Sequence, residues 1–194
     1  AGLRLVAPPM TRIAVLGAGA WGTAMAGHLV ARTTAKPAVT LWSRTEQHAR
    51  QLAATRENVR YLPGIELPAD LTCTADLTAA TTADFLFAAT PIAALPELAQ
   101  RLLDVGARAP LLWLSKGFIA APDRAAGCAL AHQVIAPRWP RPVGIVSGPS
   151  FAEEVATGLP TAVTVAATSP SLATSIAALL RGDTLRAYES DDIA

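Results

Sequence analysis

Apolar residues along the chain gather in short continuous runs, separated by longer stretches in which apolar and polar positions mix. Ile13, Val15 and Leu16 form one such run, bounded by glycine and too brief for a helix, and predict a buried strand. Trp21, Met25, Leu29 and Val30 then recur at helical spacing, so Trp21–Ala31 predicts an amphipathic helix that frays at the polar, proline-containing stretch 32–37. Val39–Trp42 predicts the second strand. Thr45–Thr55 predicts a helix with Ala49, Leu52 and Ala53 inward and His48 as an exposed residue with no nucleophile beside it.

The pattern continues in the same rhythm. Residues 58–64 read as a turn-rich loop, Leu71–Thr74 as a short strand, and the stretch from Asp76 as a small helix. Phe85–Ala89 and Leu111–Leu114 are continuous apolar runs, as expected of parallel strands buried on both faces. Between them Pro91 suits the first turn of a helix over Ile92–Leu103. Val143–Val146 predicts a further strand, followed by a helix beginning near Phe151, where Ser150 and Glu153 fit a capping box. A strand at Thr161–Ala166, a helix at Ser171–Leu180 and a strand at Leu185–Tyr188 close the chain. Alternation of this kind predicts an α/β fold, a doubly wound and mostly parallel sheet, as one domain over residues 10–194.

The chain has 194 residues, 52% hydrophobic and 16% charged, enough for one buried-sheet domain or for one domain and part of another. A formal net charge of +1 gives no reason to expect a nucleic-acid partner. No apolar run approaches the ~20 residues of a membrane span. Cys73 and Cys128 lack metal spacing and read as small buried hydrophobes in a reducing compartment, hence a cytoplasmic location, with a disulfide unsupported. Residues 1–9, ahead of Met10, belong to no periodic segment and are expected to be a leader or cloning remnant outside the fold.

Candidate chemistry begins where the first strand meets the first helix. Gly17, Gly19 and Gly22 match G-x-G-x-x-G in the strand-to-helix context that pattern requires. The first permits a tight turn, the second lets backbone approach a pyrophosphate, and the third lets the helix pack close on the strand. The amides and dipole at the helix start attract the phosphates. About twenty residues on, an Asp or Glu would accept from the adenosine ribose of NAD, whereas a cation accommodates a 2′-phosphate. Here Ser43 and Arg44 stand at that place, which favours NADP(H); Glu46 keeps NAD(H) open, and a solvated arginine at a strand end is the plain alternative. Basic residues are almost all arginine, with lysine only at Lys36 and Lys116. Lys116 ends a predicted central strand, on the side where open α/β sheets bind ligands, and suits a compact, rotatable ammonium; a snorkelling or ion-paired lysine is its structural alternative.

Seven segments in order closely resemble bacterial NAD(P)-dependent glycerol-3-phosphate dehydrogenase. They are Gly17-x-Gly19-x-Trp21-Gly22-Thr23-Ala24, Leu41-Trp42-x-Arg44, Asn58-x-x-Tyr61-Leu62-Pro63-Gly64, Thr90-Pro91, Ser115-Lys116-Gly117, Gly148-Pro149-Ser150-Phe151-Ala152-x-Glu154-Val155 and Gly158-x-Pro160-Thr161-Ala162. The resemblance implies cofactor contacts at Gly17, Gly19, Ala20, Trp21, Gly22, Arg44, Pro91, Lys116 and Ala152. It implies substrate contacts at Lys116, Gly148 and Ser150, the substrates being dihydroxyacetone phosphate and sn-glycerol 3-phosphate, interconverted by hydride transfer for phospholipid synthesis. The cofactor would carry the hydride chemistry and the protein the orientation and proton transfer.

Two departures stand out. Phe118-Ile119-Ala120 follows the Ser-Lys-Gly segment where the family usually reaches a Glu, and the family's helical domain, with its proton-transferring lysine, does not follow Asp191-Asp192. The expectation is therefore a cofactor-binding domain without substantial turnover, with apolar surface suited to homodimer formation. A ketopantoate reductase or hydroxyacid dehydrogenase would share the glycine turn but not this ordered set of segments. A non-catalytic dinucleotide sensor is the reading from a different class, which fold alone leaves open.

Overall fold

In the computed structural model, residues 10–194 are described, and the expected leader at 1–9 lies outside the described residues. The chain runs β1 (Arg12–Leu16), α1 (Ala20–Ala31), β2 (Ala38–Trp42), α2 (Glu46–Thr55), β3 (Glu57–Asn58), β4 (Leu62–Glu66) and β5 (Thr72–Thr74). After a 3-10 turn at Leu77–Thr82 come β6 (Phe85–Ala88), a 3-10 turn at Ile92–Ala94, α3 (Leu95–Asp104), β7 (Leu111–Trp113), β8 (Ile119–Ala120), β9 (Cys128–Ala129) and α4 (Ala131–Ile135). The chain ends with β10 (Val143–Ser147), α5 (Ala152–Thr157), β11 (Thr161–Ala167), α6 (Pro170–Leu180) and β12 (Leu185–Ser190).

Eight strands make the main sheet in the order β5-β2-β1-β6-β7-β10-β11-β12. The first six are mutually parallel; β11 turns antiparallel to β10, and β12 lies parallel to β11. Counted by appearance, the parallel part has the order 3-2-1-4-5-6 of the dinucleotide-binding fold, with its switch point between β1 and β6. Alternation along β1 explains the two layers. Ile13 and Val15 join a core with Met25, Leu29, Leu52 and Ile176, on the face covered by α1, α2 and α6. Ala14 and Leu16 join Leu95, Leu98, Leu102 and Ile135, on the face covered by α3 and α4. Both sides of β1 are therefore dry, which is why its sequence is a continuous apolar run.

Several local expectations change. Helix α1 is buried nearly all round from Gly22 to Leu29, because it is packed against both the sheet and α5, so it is not amphipathic. Residues 58–64 lie in the antiparallel ribbon β3–β4 rather than in an irregular loop. Pro91 precedes a 3-10 turn, and Pro96 occupies the first turn of α3 instead. The cap of α5 is shifted by one residue: the Glu154 carboxylate accepts from the Phe151 N–H at 3.2 Å, while Ser150 lies before the cap. The β8–β9 hairpin and α4 carry too few periodic residues to have been read in advance. Cys73 and Cys128 are half-buried free thiols rather than fully buried residues.

Candidate cofactor site

The glycine turn is shaped by what a Cβ would meet. Gly17 has φ +125°, and a Cβ there would stand 2.7 Å from the Ala89 carbonyl oxygen at the end of β6. At Gly22 a Cβ would collide with the Gly17 carbonyl and approach the Ala89 methyl to 2.8 Å. These two glycines lock β1, α1 and β6 together. Gly19 differs: a Cβ there would meet nothing within 4 Å, so packing among the described residues does not require the glycine, and its backbone is open to the close approach that a pyrophosphate needs. Helix α1 begins at Ala20 with no side chain capping it, which leaves its first amides for an anion.

Two cavities flank this turn and share Gly19, Ala89, Thr90 and Pro91 in their walls. One, of about 540 Å³, opens toward the end of β2 and is lined by Gly17, Trp42, Ser43, Arg44, His48, Arg60, Tyr61 and Arg101, among others. Three guanidinium groups against the single carboxylate of Glu97 give it a positive field. The Arg101 guanidinium stacks 5.5 Å from the centroid of the Trp42 ring, and Arg60 lies 5.0 Å over Tyr61. The other cavity, of about 460 Å³, is lined by Ala20, Trp21, Ser115, Lys116, Gly148, Ser150, Phe151 and Ala152, among others, and Lys116 is its one titratable lining residue among the described residues. Lys116 Nζ donates to the Gly148 carbonyl at 2.6 Å, joining the ends of β7 and β10 across this cavity.

Of the eleven residues expected at the site, Gly17, Gly19, Arg44 and Pro91 line the first cavity, and Ala20, Trp21, Lys116, Gly148, Ser150 and Ala152 line the second. Gly22 lines neither and belongs to packing. Glu46 is absent from the cavity walls: it accepts from Arg50 at 2.8 Å on the exposed side of α2, so it does not replace the missing ribose carboxylate. His48 is not a plain exposed residue. Its Nδ1 lies 3.0 Å from Ser43 Oγ and its Nε2 3.2 Å from Asn58 Oδ1, with the Tyr61 ring edge-on at 5.7 Å. No local signal marks this cluster, because Asn58 sits in a ribbon of mixed polar and apolar residues between Glu57 and Glu66. Its partners are 10 and 35–40 residues away and invisible to local spacing.

Fold and trench together define a Rossmann-type dinucleotide-binding domain of the nicotinamide-dependent dehydrogenases. A family model described as the N-terminus of NAD-dependent glycerol-3-phosphate dehydrogenase matches residues 12–173, and the chain belongs to that family. It is 42% identical over 185 residues to a glycerol-3-phosphate dehydrogenase (NAD(P)+) of Dechloromonas aromatica, covering 94% of this chain and 54% of that protein. The crystal structure of glycerol-3-phosphate dehydrogenase from Coxiella burnetii superposes with a TM-score of 0.84 at 33% identity, covering 96% of this chain and 55% of that one. A ketopantoate reductase from Ralstonia eutropha reaches a TM-score of 0.65 at 18% identity, a likeness of fold alone. The chain spans about half the length of the curated relatives it matches.

Proposed function

We propose that this chain binds NADP(H), and NAD(H) less tightly, along the trench formed by the two cavities. In this reading it serves a protein that interconverts dihydroxyacetone phosphate and sn-glycerol 3-phosphate. The observation that carries the reading is the meeting of the two cavities at Gly19, the one glycine of the turn whose Cβ direction is left open by the protein. The adenosine end lies by Arg44, where the guanidinium is suited to a 2′-phosphate. The pyrophosphate lies at the start of α1, and the nicotinamide end reaches the cavity of Lys116.

When bound, the cofactor supplies the hydride chemistry. The chain supplies orientation: Trp21, Pro91 and Ala152 wall the reacting end, with the exposed Phe151 at its edge. Lys116 offers an ammonium that can leave the Gly148 carbonyl for a substrate oxygen, with Gly148 and Ser150 at the same edge. Among the described residues that lining holds no second titratable group, so we propose that residues 10–194 by themselves bind cofactor without substantial turnover. A cytoplasmic location and self-association belong to the same reading. No helix among the described residues is long and apolar enough to cross a membrane. Phe118, Phe151 and Tyr188 are more than half exposed.

Calorimetric titration with NADPH and NADH, each with and without sn-glycerol 3-phosphate, tests the proposal. Tight NADPH binding that is little changed by the phosphate compound is expected. Binding of neither nucleotide would overturn the cofactor reading, and rates of ~1–1000 s⁻¹ would overturn the absence of turnover.

A further inference from the structure

The hydrogen bonds around His48 have a definite polarity. Asn58 is 1% exposed, and its amide lies beside the Ala18 carbonyl at 3.0 Å and Thr23 Oγ1 at 2.7 Å. A carbonyl can only accept, so the Asn58 NH₂ faces Ala18 and its oxygen faces His48 Nε2. His48 Nε2 must then carry a hydrogen. In the neutral ring Nδ1 is consequently an acceptor, and the hydroxyl that satisfies it is that of Ser43. Ser43 has one proton, and it is committed to His48. What remains on Ser43 Oγ is lone pairs.

This polarity falls at a meaningful place. Ser43 directly follows β2, in the wall of the cavity that also holds Arg44, where the fold otherwise carries a carboxylate that accepts from the adenosine ribose. We infer that Ser43, held acceptor-only by the relay Asn58–His48–Ser43, is the group that accepts from the ribose hydroxyls in this chain, and that His48 is a positioning residue setting the balance between a 2′-hydroxyl and a 2′-phosphate. A hydroxyl brings a proton to Ser43, whereas a phosphate oxygen brings only lone pairs. Arg44 acts in the opposite sense, so one site carries both an acceptor for NAD(H) and a cation for NADP(H). The relay also starts from the glycine turn, through the Ala18 carbonyl, so the pyrophosphate and ribose ends are held in one hydrogen-bonded frame.

The inference rests on the cofactor reading above, and titration of NADH and NADPH against variants separates the two. Ser43→Ala is expected to weaken NADH about three- to tenfold, the worth of one hydrogen bond, with a smaller effect on NADPH. His48→Leu releases the Ser43 proton to donate to a phosphate and shifts the NADPH:NADH affinity ratio toward NADPH by a similar factor of about three to ten. His48→Gln, whose amide can donate to Asn58 and accept from Ser43, is expected to restore the original ratio. A merely structural role would lower both affinities together and leave the ratio alone. An unchanged ratio in both Ser43→Ala and His48→Leu, with the unaltered chain binding both nucleotides, would overturn the relay. An unaltered chain that binds neither would overturn the cofactor reading and the relay with it.

Discussion

Lys116 Nζ and the carbonyl oxygen of Gly148 lie 2.6 Å apart, a bond between residues that follow β7 and β10 in the lining of the second cavity. Lys116 is itself exposed, so this bond contributes little to stability, while its ammonium lines the cavity proposed above for the nicotinamide end. Lys116→Met is expected to leave the thermal midpoint within a few degrees of the parent and to weaken NADPH binding. The loss should be about ten- to a hundredfold, if the ammonium donates to the bound molecule, as hydrogen bonds to charged groups are worth about 1.5–3 kcal/mol. Unchanged affinity would confine Lys116 to holding the two strand ends together.

The glycines of the turn separate by role. Gly19→Val places a Cβ that meets nothing within 4 Å and directs a branched side chain to where the two cavities meet, so the variant should keep its fold and lose nucleotide binding. Gly22→Ala should do the reverse in kind. Its methyl meets the Gly17 carbonyl and Ala89, a clash of the sort that costs about 1–3 kcal/mol, and the thermal midpoint should fall by about 2–4 °C per kcal/mol. Thermal melts beside titrations distinguish the two, and retained NADPH affinity in Gly19→Val would remove the turn from phosphate binding.

Arg44→Asp replaces the cation at the end of β2 with a carboxylate of the kind that accepts from ribose hydroxyls. NADPH should weaken more than NADH, and the preference should move toward NADH. Equal losses for both nucleotides would take Arg44 out of 2′-phosphate recognition and leave that task to Arg60 or Arg101 in the same wall.

Acid stability should depend on His28. This residue of α1 donates from Nε2 to the Leu180 carbonyl at 2.8 Å, while its Nδ1 is buried without a partner among the described residues. Burial holds the ring below its ordinary value of 6.5, and nearby Arg32 adds to the effect against the opposing backbone bond. The unfolded chain therefore binds the proton first. Stability is complete above about pH 6.5 and falls as the pH drops from there toward the folded value. Asp76 and Glu189 have ordinary values of 3.8 and 4.5 and are held lower, by Thr78 and by Thr174 with Arg181 respectively, so their contributions are lost only at more acid pH. Thermal melts between pH 7.5 and 5.5 should show a falling midpoint that His28→Gln abolishes. An equal slope in the variant would assign the acid sensitivity elsewhere.

Legibility in the sequence followed the range of the forces involved. The strands of the parallel sheet were readable because burial on both faces leaves continuous apolar runs, as at Phe85–Ala88 and Leu111–Trp113. The 3-10 turn after Pro91 and the shifted cap of α5 were not, because one-residue choices of capping partner depend on where the chain enters the helix. Helix α1 departs from the amphipathic expectation: its alanines and glycines are small enough for close approach on every side, and only the packing of α5 against it shows that they are used that way.

By itself the sequence determined the α/β class, the glycine turn and part of the cavity lining, Arg44 and Lys116 at the ends of their strands among it, since each depends on residue type and near-neighbour spacing. Only the tertiary structure decided the antiparallel turn of β11, the exclusion of Glu46 from the ribose end and the joining of Asn58, His48 and Ser43 into one directed chain of hydrogen bonds. Those outcomes depend on which surfaces segments distant in sequence present to one another. The direction of a hydrogen bond is settled by its partner's capacity to donate or accept, and here that partner is the Ala18 carbonyl, 40 residues from Asn58.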